Sequence, residues 1–305
     1  MTRYARQIRL SGFGATGQAK LAAARVLVVG AGGLGATLLP ALVGAGVGYL
    51  RLADPDTVEE SNLHRQTLFR MSDLGRPKAE AAAVALAGLN PDCEVSPLVG
   101  RLDPVTARAE IAAVDLVIDA ADSFAVTYAL SDLCHAAGTS LISASVLARQ
   151  GYVGGFCGGA PSLRAVFPDL PGRLGSCAVD GVMGPVVATL GALQAQMVLA
   201  VLLGQKPSPL GQMLSLDLAD WRLGAFRFDG APEPETALPE ILAPAQITRD
   251  DLVIDLRAQQ QPEPRPQHAG QRVVFVCTTG LRAWRAAQAV IADGYRSVAI
   301  IGDGA

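Results

Sequence analysis

Arg25-Val-Leu-Val-Val-Gly-Ala-Gly-Gly-Leu-Gly35 is the stretch from which the rest of the chain is read. Its apolar run from Val26 predicts a buried strand over 25–30, and the spacing from Leu34 onward predicts a helix over 34–45. Between them Gly30, Gly32 and Gly35 form the GxGxxG turn of a strand–turn–helix unit. Gly30 permits the sharp turn, Gly32 lets backbone N–H groups approach a phosphate, and Gly35 lets helix and strand pack closely. The partial positive charge at the helix start favours a phosphate there. This pattern indicates a nucleotide without choosing which one, and it also fits a Gly-rich turn that binds nothing.

Downstream residues narrow the choice. Tyr49-Leu-Arg-Leu-Ala-Asp54 reads as a second strand, and Asp54 stands where an acidic side chain holds a ribose in dinucleotide and adenosine sites alike. The run Asp56-Thr-Val-Glu-Glu-Ser61-Asn62-Leu63-His64-Arg65-Gln66 follows, and Gly75-Arg76-Pro77-Lys78 opens a helix over 79–89. Asn62, Arg65 and Lys78 fall in loops at the carboxyl end of the predicted sheet, where open α/β sheets bind ligands. A triphosphate is commonly met by Arg and Lys, whereas a dinucleotide pyrophosphate needs little beyond the helix N-terminus. A solvated polar loop is the alternative for this run.

A strand near 93–99, a helix near 104–112 and a buried strand over 115–120 lead to Asp122-Ser123. Asp122 is a candidate Mg²⁺ ligand, directly or through water, or else a cap for a helix over 124–137. That helix and a strand over 139–143 complete a doubly wound parallel sheet. After Gly151 the texture predicts antiparallel strands, closed by strands near 212–217 and 223–228.

Composition sets the remaining bounds. A formal charge of -3 provides no basic field for nucleic acid and no polybasic membrane patch. The cysteines (Cys93, Cys134, Cys157, Cys177 and Cys277) are odd in number, scattered and without a CxxC pair. They predict neither a disulfide framework nor a structural zinc site, and they fit a reducing cytoplasm. The start, Met-Thr-Arg-Tyr-Ala-Arg, has no apolar core of a signal peptide. The segment from Gly181 to Gln205 has no charged residue, but Pro185, Thr189, Gln194 and Gln196 interrupt it and no aromatic belt flanks it. It is expected to be a helix buried on all sides, in the core or in a subunit interface.

Over residues 3–228 the chain resembles the MoeB/ThiF/HesA family of ubiquitin-activating-enzyme-like adenylyltransferases. The resemblance rests on Arg3-Tyr-Ala-Arg-Gln-Ile, Gly30-Ala-Gly-Gly-Leu-Gly35, Asp54-x-Asp56, Ser61-Asn-Leu-His-Arg65-Gln, Gly75-x-x-Lys78, Asp122 and Cys177-x-x-x-Gly-Val-Met-Gly-Pro185. It implies an ATP site in which Gly30, Gly32 and Gly33 line the phosphates and Asp54 and Asp56 stand at the ribose end. Asn62, Arg65 and Lys78 would grip the triphosphate, Ser61 and Ser123 would belong to the same ATP site, and Asp122 would position Mg²⁺. Arg6 matches an arginine that reaches into the partner subunit's ATP site, which implies a homodimer. Cys177 matches a crossover-loop cysteine that links covalently to the carrier in some members. The implied substrate is a small ubiquitin-like sulfur-carrier protein, ThiS-like or MoaD-like, whose C-terminal glycine is adenylylated for thiamin or molybdopterin synthesis. Two departures stand out. Pro161-Ser162-Leu-Arg-Ala165 has Ser and Ala where many members carry a zinc-binding CxxC pair, so no zinc is expected, and Ser123 replaces the usual Asn.

Residues 229–248 are Pro-rich and acidic and read as a linker. Beyond it, 249–305 resembles a shortened rhodanese domain, with Asp255-x-Arg257 and the loop Cys277-Thr-Thr-Gly-Leu-Arg282. Strands over 251–257, 272–277 and 298–301 and a helix over 283–292 are expected. Cys277 would sit among backbone N–H groups at a helix N-terminus, which lowers a thiol pKa and suits a persulfide supplied by a desulfurase. With only about twenty residues between Arg257 and Cys277, an inert docking remnant is the alternative. Two other classes compete with the whole reading: an NAD(P)-dependent oxidoreductase, which has no use for Arg6, Arg65 and Lys78, and a non-catalytic carrier-binding relic.

Overall fold

The computed structural model describes residues 3–169, 180–236, 239–257, 268 and 270–302. Two short helices, α1 (Ala5–Ile8) and α2 (Gly14–Ala23), precede β1 (Arg25–Val29). The chain then alternates: α3 (Gly33–Ala45), β2 (Tyr49–Asp54), α4 (Lys78–Leu89), β3 (Glu94–Val99), α5 (Pro104–Ala112), β4 (Leu116–Asp119), α6 (Phe124–Ala137) and β5 (Ser140–Leu147). Some helix starts carry a side-chain cap. At α5, for example, the Asp103 carboxylate accepts the N–H groups of Val105 and Thr106 at 3.0 and 2.8 Å, and Pro104 occupies the first helical position.

The strands pair in the order β3-β2-β1-β4-β5, all parallel. Strand order reverses between β1 and β4, the switch point at which such sheets bind ligands beyond their carboxyl ends. An antiparallel extension of β6 (Gln150–Cys157), β7 (Gln212–Asp217) and β8 (Arg222–Arg227) completes an eight-stranded, Rossmann-like sheet. Between β6 and β7 come α7 (Leu163–Val166) and the long apolar α8 (Gly184–Leu203).

Alternation along β1 sends Val26 and Val28 to one face and Leu27 and Val29 to the other, so each face has its own core. The first is covered by α3, α4 and α8, the second by α5 and α6. Helix α8 is not buried on all sides within the chain, which corrects the core alternative and leaves an open face of the kind a subunit interface would cover. Its Val186, Val187, Leu190, Gln194 and Val198 are buried, while Pro185, Thr189, Ala192 and Gln196 form an open stripe.

The last part of the chain builds a second, parallel sheet in the order β10-β11-β12-β9, from β9 (Glu240–Ile241), β10 (Leu252–Asp255), β11 (Val273–Cys277) and β12 (Val298–Gly302), with α9 (Leu281–Ala292) on one face. The stretch 229–248 is therefore more than a linker. Glu233 accepts hydrogen bonds from Ser162 N–H and Oγ at 2.6 Å each, and Glu240–Ile241 pairs with Ala299–Ile300. Ser162 and Glu233 thus tie α7 to the following chain where many family members are expected to use zinc.

Candidate functional site

The GxGxxG turn lies at the switch point, and its geometry explains its composition. Gly30 has φ +105° and its α-carbon faces the Ala120 carbonyl so closely that a side chain would collide with backbone. A β-carbon at Gly35 would lie 2.5 Å from the Gly30 carbonyl oxygen. Packing of β1 against the end of β4 thus sets the turn against Ala120 and Ala121, the two residues before Asp122.

Asp54, 4% exposed, closes the turn from the β2 side. Its two oxygens accept the Ala31 N–H at 2.7 Å and the Asp56 N–H at 2.8 Å. Burial raises the Asp54 pKa, opposed by those N–H groups and by the nearby Lys78 ammonium. Asp54 is therefore first a brace for the turn; the carboxylate's remaining lone pairs are what a ribose hydroxyl could use.

The basic groups converge on the same place. Lys78 opens α4, is 5% exposed and donates from Nζ to Asp56 Oδ2 at 2.8 Å, leaving two of its three ammonium protons for another acceptor. The Arg65 stem lies against Gly33, with Cγ and Cδ 3.5 and 3.6 Å from where a β-carbon would stand. Its guanidinium donates to the Ser61 carbonyl at 3.3 Å and meets His64 Nε2 at 2.8 Å. Asn62 is buried, its amide donating to Ser61 Oγ at 3.1 Å.

Gln66 is a site residue that sequence reading passed over. Its amide nitrogen stands 3.8 Å from the β-carbon position of Gly32, the residue is 3% exposed, and its carbonyl oxygen is buried without a hydrogen-bond partner among the described residues. An unpaired buried oxygen of this kind is costly and marks a place where a ligand or water completes the bonding. The only signal in the sequence is its adjacency to Arg65.

Asp122 is exposed and makes no described hydrogen bond or ion pair. Ser123 holds the N-cap position of α6 without a side-chain cap, so the capping alternative for Asp122 is not adopted. Behind them lies a buried polar knot. Asp119 accepts from Ser143 Oγ at 2.7 Å and from Ala121 N–H at 3.2 Å, and Gln194 of α8 donates to the Asp119 carbonyl at 2.7 Å. Burial pushes the Asp119 carboxyl up to about 6, against these hydrogen bonds and with a further push from nearby Asp122.

The raised value has a consequence for stability. The folded state holds the Asp119 proton more tightly than the unfolded chain does, so this contribution is complete below about pH 4 and is lost as pH rises through about 6. At two units it amounts to roughly 2–3 kcal/mol. Asp119→Asn is expected to reduce the fall in melting temperature between pH 4.5 and 7, measured by thermal unfolding, with buried Asp54 and Asp132 supplying the remainder. An unchanged pH slope in the variant would place the titration elsewhere.

Two expected site residues, Arg6 and Cys277, lie apart from this cluster. Arg6, on α1, is exposed. The neighbouring Gln7 amide donates to the Ala45 carbonyl at 2.7 Å, and Tyr4 receives the Asn90 amide at 2.8 Å. These contacts fix α1 at the carboxyl end of α3, the end opposite the turn. Cys277 lies in the second sheet, 1% exposed, with the Ala283 N–H 3.4 Å from its sulfur. The expected amide contact is present, but the thiol is covered. Cys177 lies outside the described residues.

Comparison with known proteins gives the family and the fold. Residues 4–236 match the model of the ThiF family. The SAMP-activating enzyme E1 of Haloferax volcanii is 38% identical over 222 residues, which is 72% of this chain and 82% of that protein. The adenylyltransferase and sulfurtransferase MOCS3 of Bos taurus is 44% identical over 218 residues, 70% of this chain and 48% of that protein. The corresponding UBA4 of Yarrowia lipolytica is 41% identical over 205 residues, 66% of this chain and 52% of that protein, so the chain spans about half the length of these two relatives. Among solved structures, E. coli MccB with ATP superposes with a TM-score of 0.68 at 22% identity, covering 77% of this chain and 73% of that one, a likeness of fold.

Proposed function

The chain belongs to the ThiF family, and from that premise we propose that it transfers AMP from ATP to the C-terminal glycine carboxylate of a small ubiquitin-like sulfur-carrier protein in the cytoplasm. The observation that carries this reading is the buried Lys78 ammonium beside the glycine turn, with the Arg65 stem lying on Gly33. A dinucleotide pyrophosphate has no need of these cations, whereas a triphosphate does. The relatives support the same class: a SAMP-activating E1 and adenylyltransferase–sulfurtransferases.

In the proposed reaction a carboxylate oxygen of the carrier attacks the α-phosphorus of ATP, the bond to the β-phosphate oxygen breaks, and pyrophosphate leaves. No general base is required, because the carboxylate is already ionised at pH 7. The protein's work is positioning and charge stabilisation. Asn62, Arg65 and Lys78 hold the phosphates, the turn presents backbone N–H groups, and Asp54 offers its free lone pairs to the ribose.

Asp122 fits Mg²⁺. No group of three or more His, Cys, Asp or Glu side chains gathers among the described residues. One free carboxylate beside a phosphate site matches the usual mode, in which Mg²⁺ is held by one or two carboxylates plus substrate phosphates. Bound there, the ion would neutralise phosphate charge.

Arg6 stands far from its own turn and is assigned to the site of a second copy, so the proposed unit is a homodimer. Of the two carriers, the ThiS-like one of thiamin synthesis is favoured, with a desulfurase as sulfur source. The test is the intact mass of each carrier after incubation with this protein and MgATP. One added adenylyl group on the ThiS-like carrier is expected. The same gain on the MoaD-like carrier alone would reassign the pathway, and no gain on any carrier would leave a binding relic.

A further inference from the structure

The second sheet is docked on the helix that begins immediately after Asp122 and Ser123. The Trp284 ring on α9, 2% exposed, meets Phe124 and Tyr128 of α6 edge-on at centroid distances of 6.3 and 5.3 Å. Arg164 of α7, 3% exposed, stacks over both Tyr128 and Trp284, pairs with Asp132 at 2.7 Å and donates to the Pro239 carbonyl at 3.1 Å.

The tightest contact is at the first turn of α6. A β-carbon at Gly302, the end of β12, would lie 2.8 Å from Ala125 Cβ, and one at Gly280 would lie 2.9 Å from the Phe124 ring. Beside this contact a cavity of about 210 Å³ is walled by Leu102, Ala125 and Val126 on one side and by Leu242, Ile301 and Gly302 on the other. The Cys277 loop meets this contact through Gly280, three residues past the cysteine and buried against α6, while Thr278 and Thr279 are exposed and Cys277 itself is buried.

We infer that the C-terminal sheet is a positioning element of the nucleotide site: through Gly302, Gly280 and Trp284 it holds the first turn of α6, and with it Asp122 and Ser123, in place for ATP. The inference rests on the assignment of Asp122 to the ATP site. It also assigns the shortened tail a structural role in the docked arrangement, distinct from sulfur transfer at Cys277.

The test uses the full-length chain and two readouts, ATP affinity by calorimetry and the alkylation rate of Cys277 by iodoacetamide, followed by peptide mass. Gly302→Val is expected to weaken ATP binding about tenfold, the order of loss when one charge-assisted contact to the ligand is forfeited. It should also speed Cys277 alkylation. Adding Ala125→Gly removes the atom the new side chain strikes and is expected to restore affinity to within about threefold, the residue reflecting the modest cost of glycine in a helix. Should Gly302→Val fail to fold, Trp284→Ala and Trp284→Phe take its place, with loss expected in the first and retention in the second. Faster alkylation with unchanged affinity, lost affinity that Ala125→Gly does not restore, or no change in either readout would each overturn the inference. Asp122→Ala separates the two levels: if that variant binds and turns over ATP normally, the reading of the site fails, whatever the docked sheet does.

Discussion

Lys78→Ala is expected to lower kcat/KM for carrier adenylylation by about 10²–10³-fold, the usual loss when one preorganised donor to developing charge is removed, or about 3–4 kcal/mol. Position and burial both support an effect of this size. Lys78 opens α4 at the carboxyl end of the sheet, and Asp56 holds its ammonium at 2.8 Å in a slot that leaves the residue 5% exposed. Inside such a slot a cation is screened little by salt and interacts strongly with a phosphate. The fold is expected to survive, because the abandoned Asp56 side chain is 56% exposed and keeps its hydration. Lys78→Arg should not rescue, since a forked guanidinium does not fit a slot shaped for a compact ammonium. Initial rates of carrier adenylylation together with a melting curve check the prediction. A drop below about tenfold would remove Lys78 from the phosphate site.

The second large effect is one of complementation. Arg6→Ala and Lys78→Ala are each expected to be nearly inactive alone, yet to recover activity when mixed, unfolded and refolded together. The reason is distance. Helix α3 has 13 residues and separates the turn at its start from α1 packed at its end; at about 1.5 Å per residue that is roughly 20 Å, beyond the reach of an arginine side chain. In a two-fold dimer the Arg6 of one copy can serve the other copy's turn. Random pairing makes half the dimers mixed, each with one of its two sites complete, so recovery to about a quarter of wild-type activity is expected. Full activity of Arg6→Ala alone, or a mixture as inactive as its components, would contradict an arginine acting across the dimer.

Local structure was legible because periodicity reports it. The helices expected over 104–112 and 124–137 and the strand expected over 212–217 have those bounds in the structure. The strand–turn–helix around Gly30 also follows the sequence, since a positive φ and a backbone contact at one residue leave glycine as the choice. Roles that depend on distant partners were not legible. Asp54 stands at its expected place, yet its two oxygens brace Ala31 and Asp56, a use that the residue type alone does not reveal.

Gln66 gave no signal beyond its place after Arg65, because a buried amide has no period. Arg164 pairs with Asp132 across 32 residues and with the Pro239 carbonyl across 75, so a chain read segment by segment treats all three as surface. For the same reason Pro-rich composition read 229–248 as a linker, although its later part joins a sheet through pairing with Ala299–Ile300. Cys277 illustrates the limit of a motif. The loop delivers the expected amide at 3.4 Å, yet the residue is 1% exposed, and burial of that kind is set by packing that the motif does not contain.

The most direct test of the account is exchange of labelled pyrophosphate into ATP, measured with and without a carrier protein. Exchange should require both this protein and a carrier with its C-terminal glycine intact, and should vanish when that glycine is deleted, because only a reversible carboxylate–AMP anhydride returns pyrophosphate to ATP. Exchange that proceeds without the carrier, or no exchange with any carrier while ATP still binds, would contradict carrier adenylylation as the function of this chain.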